Sequence, residues 1–573
     1  MQSTVAESGA ITESSAKKSW HPKGLFVLSS TEMWERFNFY GMRALLTLFL
    51  STALAFSDAR ATIVYGGYLG LCFLTPMLGG YISDRYLGNR YSIMLGGLIL
   101  AIGQLFMFFS GSVFSTNLDL ATTLMWVGLG VQILGNGFFK PNISSMVGQL
   151  YPKGDNRMDS AFTIFYMGIN MGSTLGMAIC PLLGDHVDAN DHQIPGVFKW
   201  GFLAAGLAII IGTVFFWFMK DKYVVGPDGR PVGTKPRFDK NKVHVAGEEA
   251  DKAHFKPASV LGCLVLGIAV YLGLHFLMAG DDPIESWLYP FIYASGITLA
   301  VLILSDKSVT KVERDRILVI YAVSFFVIFF WACFEQAGSS LTFIAANQTD
   351  RHFLGWNMPA SFVQNANSIF IIVLAIPFSL WWGWLQKMKA EPISPVKQAA
   401  GLGFLALGYF IIAQKVNGLG DGKLGVIWLI VMYLFHTIGE LWVSPIGLSL
   451  VAKLAPKRFS SLLMGVFFLS NASGYALSGT LGALLPPKPQ MYHDAAKANI
   501  NLQGILDGTT ALTAGIKQQL HDLKIPDHYP SFAGFTIHNL YEFFMVFVIL
   551  PGSAAILLFF LSFLLKRMMH GVR

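Results

Sequence analysis

The sequence predicts an all-α integral membrane protein with fourteen transmembrane helices. Three observations predict it: an apolar composition, long apolar stretches that recur along the chain, and cations that fall in alternate loops. Hydrophobic residues make up 53% of the 573 positions and charged residues 13%, and the mean hydropathy is +0.52. A soluble domain carries about twice that charge. Stretches near the roughly 20 residues needed to cross a bilayer lie at 25–55, 59–83, 91–113, 120–149, 158–183, 197–219, 257–280, 286–305, 314–344, 361–385, 397–415, 424–452, 459–485 and 538–566. Residues 1–22 are polar and hold no apolar signal-peptide core, so the first span is expected to stay in the mature protein.

The loops orient the array. Lys and Arg gather at Arg85 and Arg90, at Lys153 and Arg157, and along 220–256 from Lys220 to Lys242. They recur from Lys307 to Arg316, at Lys387, Lys389 and Lys397, at Lys453, Lys457 and Arg458, and at Lys566, Arg567 and Arg573. The intervening loops are poorer in cations. By the positive-inside rule both termini are expected in the cytoplasm. The net charge of +7 is then a topology signal, and no basic aromatic-bearing domain suggests nucleic acid.

Two segments are polar: a cytoplasmic linker at 220–256, and an extracytoplasmic loop at 486–536 whose stretch 500–522 has helical periodicity. The expected division is a tail (1–24), a six-helix bundle (25–219), the linker (220–256), an inserted helix pair (257–305) and a second six-helix bundle (306–573). Cys72, Cys180, Cys263 and Cys333 lie in apolar spans without metal-like spacing and read as small core hydrophobes. The chain has no phosphate-binding loop, HExxH, GxSxG or CxxC. Neither an enzyme nor an ATP-driven pump is expected, no cofactor is implied, and transport would draw on an ion gradient.

The first span carries Glu32, Glu35 and Arg36. A charge at bilayer depth costs at least ~2.5–3.5 kcal/mol, so three in one helix call for a function. Positions three and four apart share a helix face, which makes them one patch turned to protein or water. That patch is either a structural ion pair or part of a proton relay. Arg43, Lys140, Asn170, Glu335, Asn367 and Glu440 also fall within spans. An intramembrane Asn often only bonds helices together, but several ionisable groups on different helices imply a shared site. The cations Arg36, Arg43 and Lys140 belong to the first six spans, and Glu335 and Glu440 to the last six. The halves match faintly: Gly137-Phe-Phe-Lys140-Pro141 against Gly439-Glu440-Leu-Trp-Val-Ser444-Pro445, and Phe165 to Asn170 against Phe468 to Asn471. Duplicated halves with a midplane site are a transporter architecture.

Glu32-x-x-Glu35-Arg36-Phe37-x-Phe39-Tyr40 resembles the ExxERFxYY signature of the proton-coupled oligopeptide transporters, a branch of the major facilitator superfamily. The resemblance continues through Gly79-Gly80-Tyr-Ile-Ser-Asp84-Arg85-Tyr-Leu-Gly88, Gly135-Asn-Gly-Phe-Phe-Lys140-Pro-Asn142 and Phe330-Trp331-Ala-Cys-Phe-Glu335-Gln336. The inserted pair and linker fit bacterial members, which implies a multi-pass protein of the cytoplasmic (inner) membrane. Phe39, Phe73 and Phe467 replace aromatic residues that carry a hydroxyl or indole in the family.

The resemblance implies a proton-driven symporter of di- and tripeptides, and physics supplies roles. A short peptide is a zwitterion whose ends lie several ångströms apart. Arg36 and Lys140 are expected at its carboxylate and Glu440 at its amino terminus. Asn170 and Asn367 would clamp backbone amides, while Tyr40, Trp331, Ser444 and Asn471 would complete the lining. Glu32 and Glu35 stand between desolvation, which favours the neutral carboxyl, and the cations Arg36 and Lys140, which favour the charged one. The resemblance pairs Glu335 with Arg43 as an extracytoplasmic gate, and assigns Asp84 and Arg85 to the cytoplasmic gate. Other readings are a nitrate or drug carrier on the same scaffold, and a membrane peptide sensor that moves nothing. Glu440 argues against a purely anionic substrate, which it would repel.

Overall fold

The computed structural model describes residues 21–152, 155, 157–189, 191–235, 255–280, 282–420 and 422–572. Most of the expected tail (1–20) and much of the linker (236–254) lie outside the described residues.

Six long helices come first: α1 Lys23–Thr52, α2 Asp58–Ile82, α3 Asn89–Val113, α4 Leu118–Gln149, α5 Met158–Gly184 and α6 Phe198–Tyr223. The pair α7 Pro257–Leu277 and α8 Tyr289–Leu304 follows. Then come α9 Lys311–Phe334, a short α10 Ser340–Asn347, α11 Asn365–Lys387, α12 Ser394–Val416, α13 Val426–Leu454 and α14 Ser460–Gly482. The long loop holds α15 Pro489–Lys497, α16 Leu502–Leu506 and α17 Ala514–Asp522, and α18 Leu540–Met568 closes the chain. Polar caps start several of these: Ser57 accepts from Arg60 N, Asn117 from Leu120 N, and Thr310 with Glu313 forms a capping box on α9.

Thirteen helices among the described residues are long and apolar enough to cross a membrane. The other long helix, α1, fails on charge and not on length, because Glu32, Glu35, Arg36 and Arg43 all lie within its 30 residues. The expected single span 314–344 is broken. α9 stops at Phe334, a 3-10 turn covers Glu335–Gly338, and α10 resumes at Ser340. Within the turn only glycine fits at position 338, since any side chain there would run into the Tyr65 hydroxyl.

α1 packs on α5 and α6, α3 on α4 and α6, and α2 on α4. In the second half α12 packs on α13 and α18, α9 on α14 and α18, and α11 on α13. The halves meet along two seams. The α2–α14 seam is close: a Cβ on Gly66 would stand 2.8 Å from Gly479 Cα and from Tyr475 O, the close backbone approach that small residues permit within membranes. Across the α5–α11 seam, Ser173 meets Ser368 and Asp185 meets Ser361, toward the face that carries the long loop. At the opposite face α1 begins and α18 ends, where His570 pairs with Asp315 at 2.8 Å. We call these the long-loop face and the termini face.

The inserted pair leans on the first seam. Tyr289 of α8 is fully buried and donates to Ile63 O of α2 at 2.8 Å, while Glu285 accepts from Thr480 of α14 at 2.8 Å. At the long-loop face, β1 (Thr349–Asp350) pairs in parallel with β4 (Leu424–Gly425). The hairpins β2–β3 (His352–Phe353, Trp356–Asn357) and β5–β6 (Ser531–Phe532, Phe535–Thr536) turn tightly. Leu354 (φ 51°) with Gly355 and Ala533 (φ 50°) with Gly534 take the left-handed conformations such turns need. Where one surface helix was expected at 500–522, α16 and α17 form, and together with α15 they enclose a small core of Ala495, Ile500, Leu502, Ile505, Leu520 and Ile525. The four cysteines are buried and unpaired with one another.

Candidate functional site

A cavity of about 250 Å³ lies between the halves. The first half lines it with Tyr40 and Arg43 of α1, Phe73 of α2, and Tyr166, Asn170 and Ser173 of α5. The second half supplies Trp331, Glu335, Asn367, Glu440, Ser444, Asn471 and Tyr475.

Arg43 and Glu335, 292 positions apart, form an ion pair across the cavity wall at 2.8 Å. They are 7% and 2% exposed, so the pair is shielded from solvent. Glu335 follows the last residue of α9, where the partial negative charge of a helix C-terminus opposes a carboxylate. Arg43 answers that charge, and the Tyr65 hydroxyl adds a hydrogen bond at 3.3 Å. The guanidinium also sits 4.8 Å over the Tyr40 ring.

Further bonds join the halves on the long-loop side. Thr47 donates to Gly338 O at 2.9 Å, and Ser173 and Ser368 meet at 3.2 Å. Buried Asp185 accepts from the backbone N and hydroxyl of Ser361 at 2.8 and 2.6 Å. Toward the termini face the lining residues Tyr166 and Leu448 are 43% and 42% exposed, so the cavity opens there.

On the second half, Asn367 donates to Glu440 and to Thr437 Oγ1, each at 3.0 Å. Asn471 Oδ1 and Ser444 Oγ are buried without partners, so both can still bind a ligand. Asn170 donates to Tyr166 O of its own helix at 2.9 Å.

Of the residues singled out from sequence, Tyr40, Arg43, Asn170, Trp331, Glu335, Asn367, Glu440, Ser444 and Asn471 meet at this cavity. Glu32, Glu35, Arg36 and Lys140 stand one layer behind it. Arg36 bridges Glu32 at 3.0 Å and Glu35 at 2.5 Å on its own helix. The Lys140 ammonium lies 3.5 Å over the Phe73 ring. Asp84 and Arg85 sit in an exposed π-helical turn, Ser83–Leu87, where Arg85 donates to Tyr81 at 3.3 Å. Sequence reasoning did not single out Tyr65, Tyr166, Ser173, Ser368 or Tyr475. Tyr65, Ser173 and Ser368 are ordinary membrane residues whose hydroxyls matter through a partner on another helix, and Tyr166 and Tyr475 are aromatic residues that only their place at the cavity marks out.

The sequence profile of the POT family matches residues 90–493. The chain belongs to the POT family. Among POT relatives, peptide transporter YePEPT of Yersinia enterocolitica is 32% identical over 81% of this chain and 88% of its own. The uncharacterized transporter YclF of Bacillus subtilis is 28% identical over 85% and 93%. Among solved POT structures, a peptide transporter in complex with sulfate superposes with a TM-score of 0.70 at 26% identity, covering 96% of each chain. A POT family transporter in complex with 5-aminolevulinic acid gives 0.68 at 25%, covering 96% and 97%. These relatives are transporters and not enzymes, and their fold is the helical, major-facilitator-like one described above.

Proposed function

We propose that this protein is a symporter that uses an inward proton gradient to import di- and tripeptides, with its two six-helix halves (25–219 and 306–573) rocking about the central cavity. The observation that carries the reading is the polarised cavity: Arg43 and Glu335 join its walls, and Glu440 faces it from the second half. A zwitterionic peptide matches that charge pattern. Glu440, with Asn367 beside it, receives the amino terminus. Asn170, Asn471 and Ser444 hold backbone groups without reading side chains. Arg36 and Lys140 remain the cations for the carboxylate. Protons pass through Glu32, Glu35 and Glu335, and Glu335 releases Arg43 when neutralised. Asp84 and Arg85 serve the gate at the termini face. The protein sits in a bacterial inner membrane with both termini in the cytoplasm, and uses no cofactor beyond the coupling ion.

Reconstitution in liposomes tests this. With acid outside, labelled dialanine should accumulate above its external concentration, and a protonophore should abolish the accumulation. Equilibration without accumulation would leave a channel, and no uptake at all a sensor. A second reading, a carrier of other small zwitterions, is favoured by the relative that holds 5-aminolevulinic acid. Stronger competition by that compound than by dialanine would support it.

A further inference from the structure

Phe73 lines the cavity, whereas Glu32, Glu35, Arg36 and Lys140 do not. Its ring covers Lys140, with the ammonium 3.5 Å from the ring centroid. The Tyr475 ring of the other half is 4.5 Å away from that of Phe73. The phenyl group is thus wedged between a cation of one half and a tyrosine of the other, on the seam where the halves meet. Arg36 is covered in the same manner, 5.4 Å from the Phe39 ring, which stands edge-on to the cavity residue Tyr40. Neither ring carries a hydroxyl.

We propose that Phe73 is a positioning residue, an aromatic shutter that separates the Glu32–Glu35–Arg36–Lys140 cluster from the substrate cavity until a ligand carboxylate displaces it. The proposal rests on the transport reading above and names how that site is regulated. A phenyl face holds an ammonium through its quadrupole but offers no oxygen. A carboxylate makes a charge-assisted hydrogen bond and takes the ammonium from the ring. A ligand without a carboxylate has no such claim, so the shutter stays closed to it. While closed, the apolar ring interrupts any water chain between the cavity and Glu32 or Glu35. Proton movement is thereby tied to the arrival of a carboxylate.

The test uses the full-length protein in liposomes carrying an internal pH dye. Proton entry under an inward gradient is read without peptide, then with dialanine or dialanine amide. Phe73→Ala should raise peptide-free proton entry at least about tenfold while dialanine counterflow persists. Wild-type peptide-free entry in a folded, counterflow-competent Phe73→Ala protein would overturn the proposal. If the alanine variant does not fold, Phe73→Leu carries the test, since it keeps bulk but removes the ring face. Its affinity for dialanine should then change several-fold relative to its affinity for dialanine amide, and equal shifts for both would overturn the proposal. Peptide-free entry needs no transported substrate, so failure of dialanine accumulation in the wild type sinks the transport reading without deciding the shutter.

Discussion

Arg36 and Arg43 lie about two turns apart on α1, and both are nearly fully buried, yet they differ in what they can sense. Arg36 is held by Glu32 and Glu35 of its own helix at 3.0 and 2.5 Å. Its pairs survive any rigid movement of one half against the other. Arg43 is held by Glu335, in the other half, at 2.8 Å. That pair cannot survive separation of the walls it joins. A charge pair within a half can store or pass a proton, and only a pair between halves can register conformation.

The sharpest way to break this comparison is to neutralise each carboxylate in turn. Glu335→Gln leaves Arg43 without its ionic partner, a loss of about 3–5 kcal/mol where the group is buried. Gradient-driven uptake should fall at least ~100-fold while peptide counterflow remains. Glu32→Gln and Glu35→Gln each leave Arg36 one carboxylate, so both should also lose gradient-driven uptake but keep near-normal thermal stability. Full gradient-driven uptake in Glu335→Gln would make the interhalf pair purely structural.

Capping the peptide should give the next largest effect. N-acetyl-dialanine and dialanine amide each leave a partly desolvated partner unpaired, at about 1–3 kcal/mol, which is roughly 5- to 150-fold in competition against a labelled dipeptide. The penalty for the acetyl form should vanish in Glu440→Gln. Equal potency of both caps and free dialanine would remove the bipolar clamp.

A smaller effect is expected at Asp185, which holds Ser361 across the second seam. Asp185→Ala should raise labelling of a cysteine placed at Ser368 from the long-loop face several-fold. Unchanged labelling would exclude Asp185 from the interhalf lock.

The smallest effect belongs to Asp191, a half-buried loop carboxylate of the first half that meets Lys423 of the second at 3.2 Å at the solvent-facing rim. The hydrogen bond from Lys423 holds its carboxyl below the usual range. Its folded pKa is lowered, so its contribution is present above the unfolded value near ~3.9 and is lost as pH falls through the folded value. Between about pH 5 and 8 it is constant, and solvent screening keeps it below about 1 kcal/mol. Asp191→Asn should therefore leave the pH profile of uptake unchanged over that range. A shifted profile would make this surface pair part of the coupling.

The spans were legible because a bilayer imposes length and apolarity on nearly every helix, and α1 stood out through its charges. The cavity was half legible. Ionisable residues inside an apolar span announce a function, so Arg43, Glu335 and Glu440 could be named. Depth behind the wall could not, because it depends on how α2 and α4 rotate. Lys140 reads from sequence as a cavity residue, whereas Phe73 intervenes. The close packing at Gly338 was illegible for a related reason: Tyr65, from another helix, fills the space that any side chain there would need. Hydroxyl contacts such as Ser173 with Ser368 carry no local signal at all.

The placement of the interhalf bonds also bears on turnover. They lie on the long-loop side, while Tyr166 and Leu448 open the cavity to the termini face. The halves are therefore tied together on the long-loop side and open on the termini side. On the proposed symport reading, with the long-loop face outside, the slow leg of the cycle is the parting of Arg43 from Glu335, and not the capture of a peptide. A barrier of about 3–5 kcal/mol for parting a buried ion pair slows that leg by roughly 150- to 5,000-fold, unless a proton arrives first. Saturating rates should then be nearly the same for peptides that bind with very different strength, and acidity outside should set the pace.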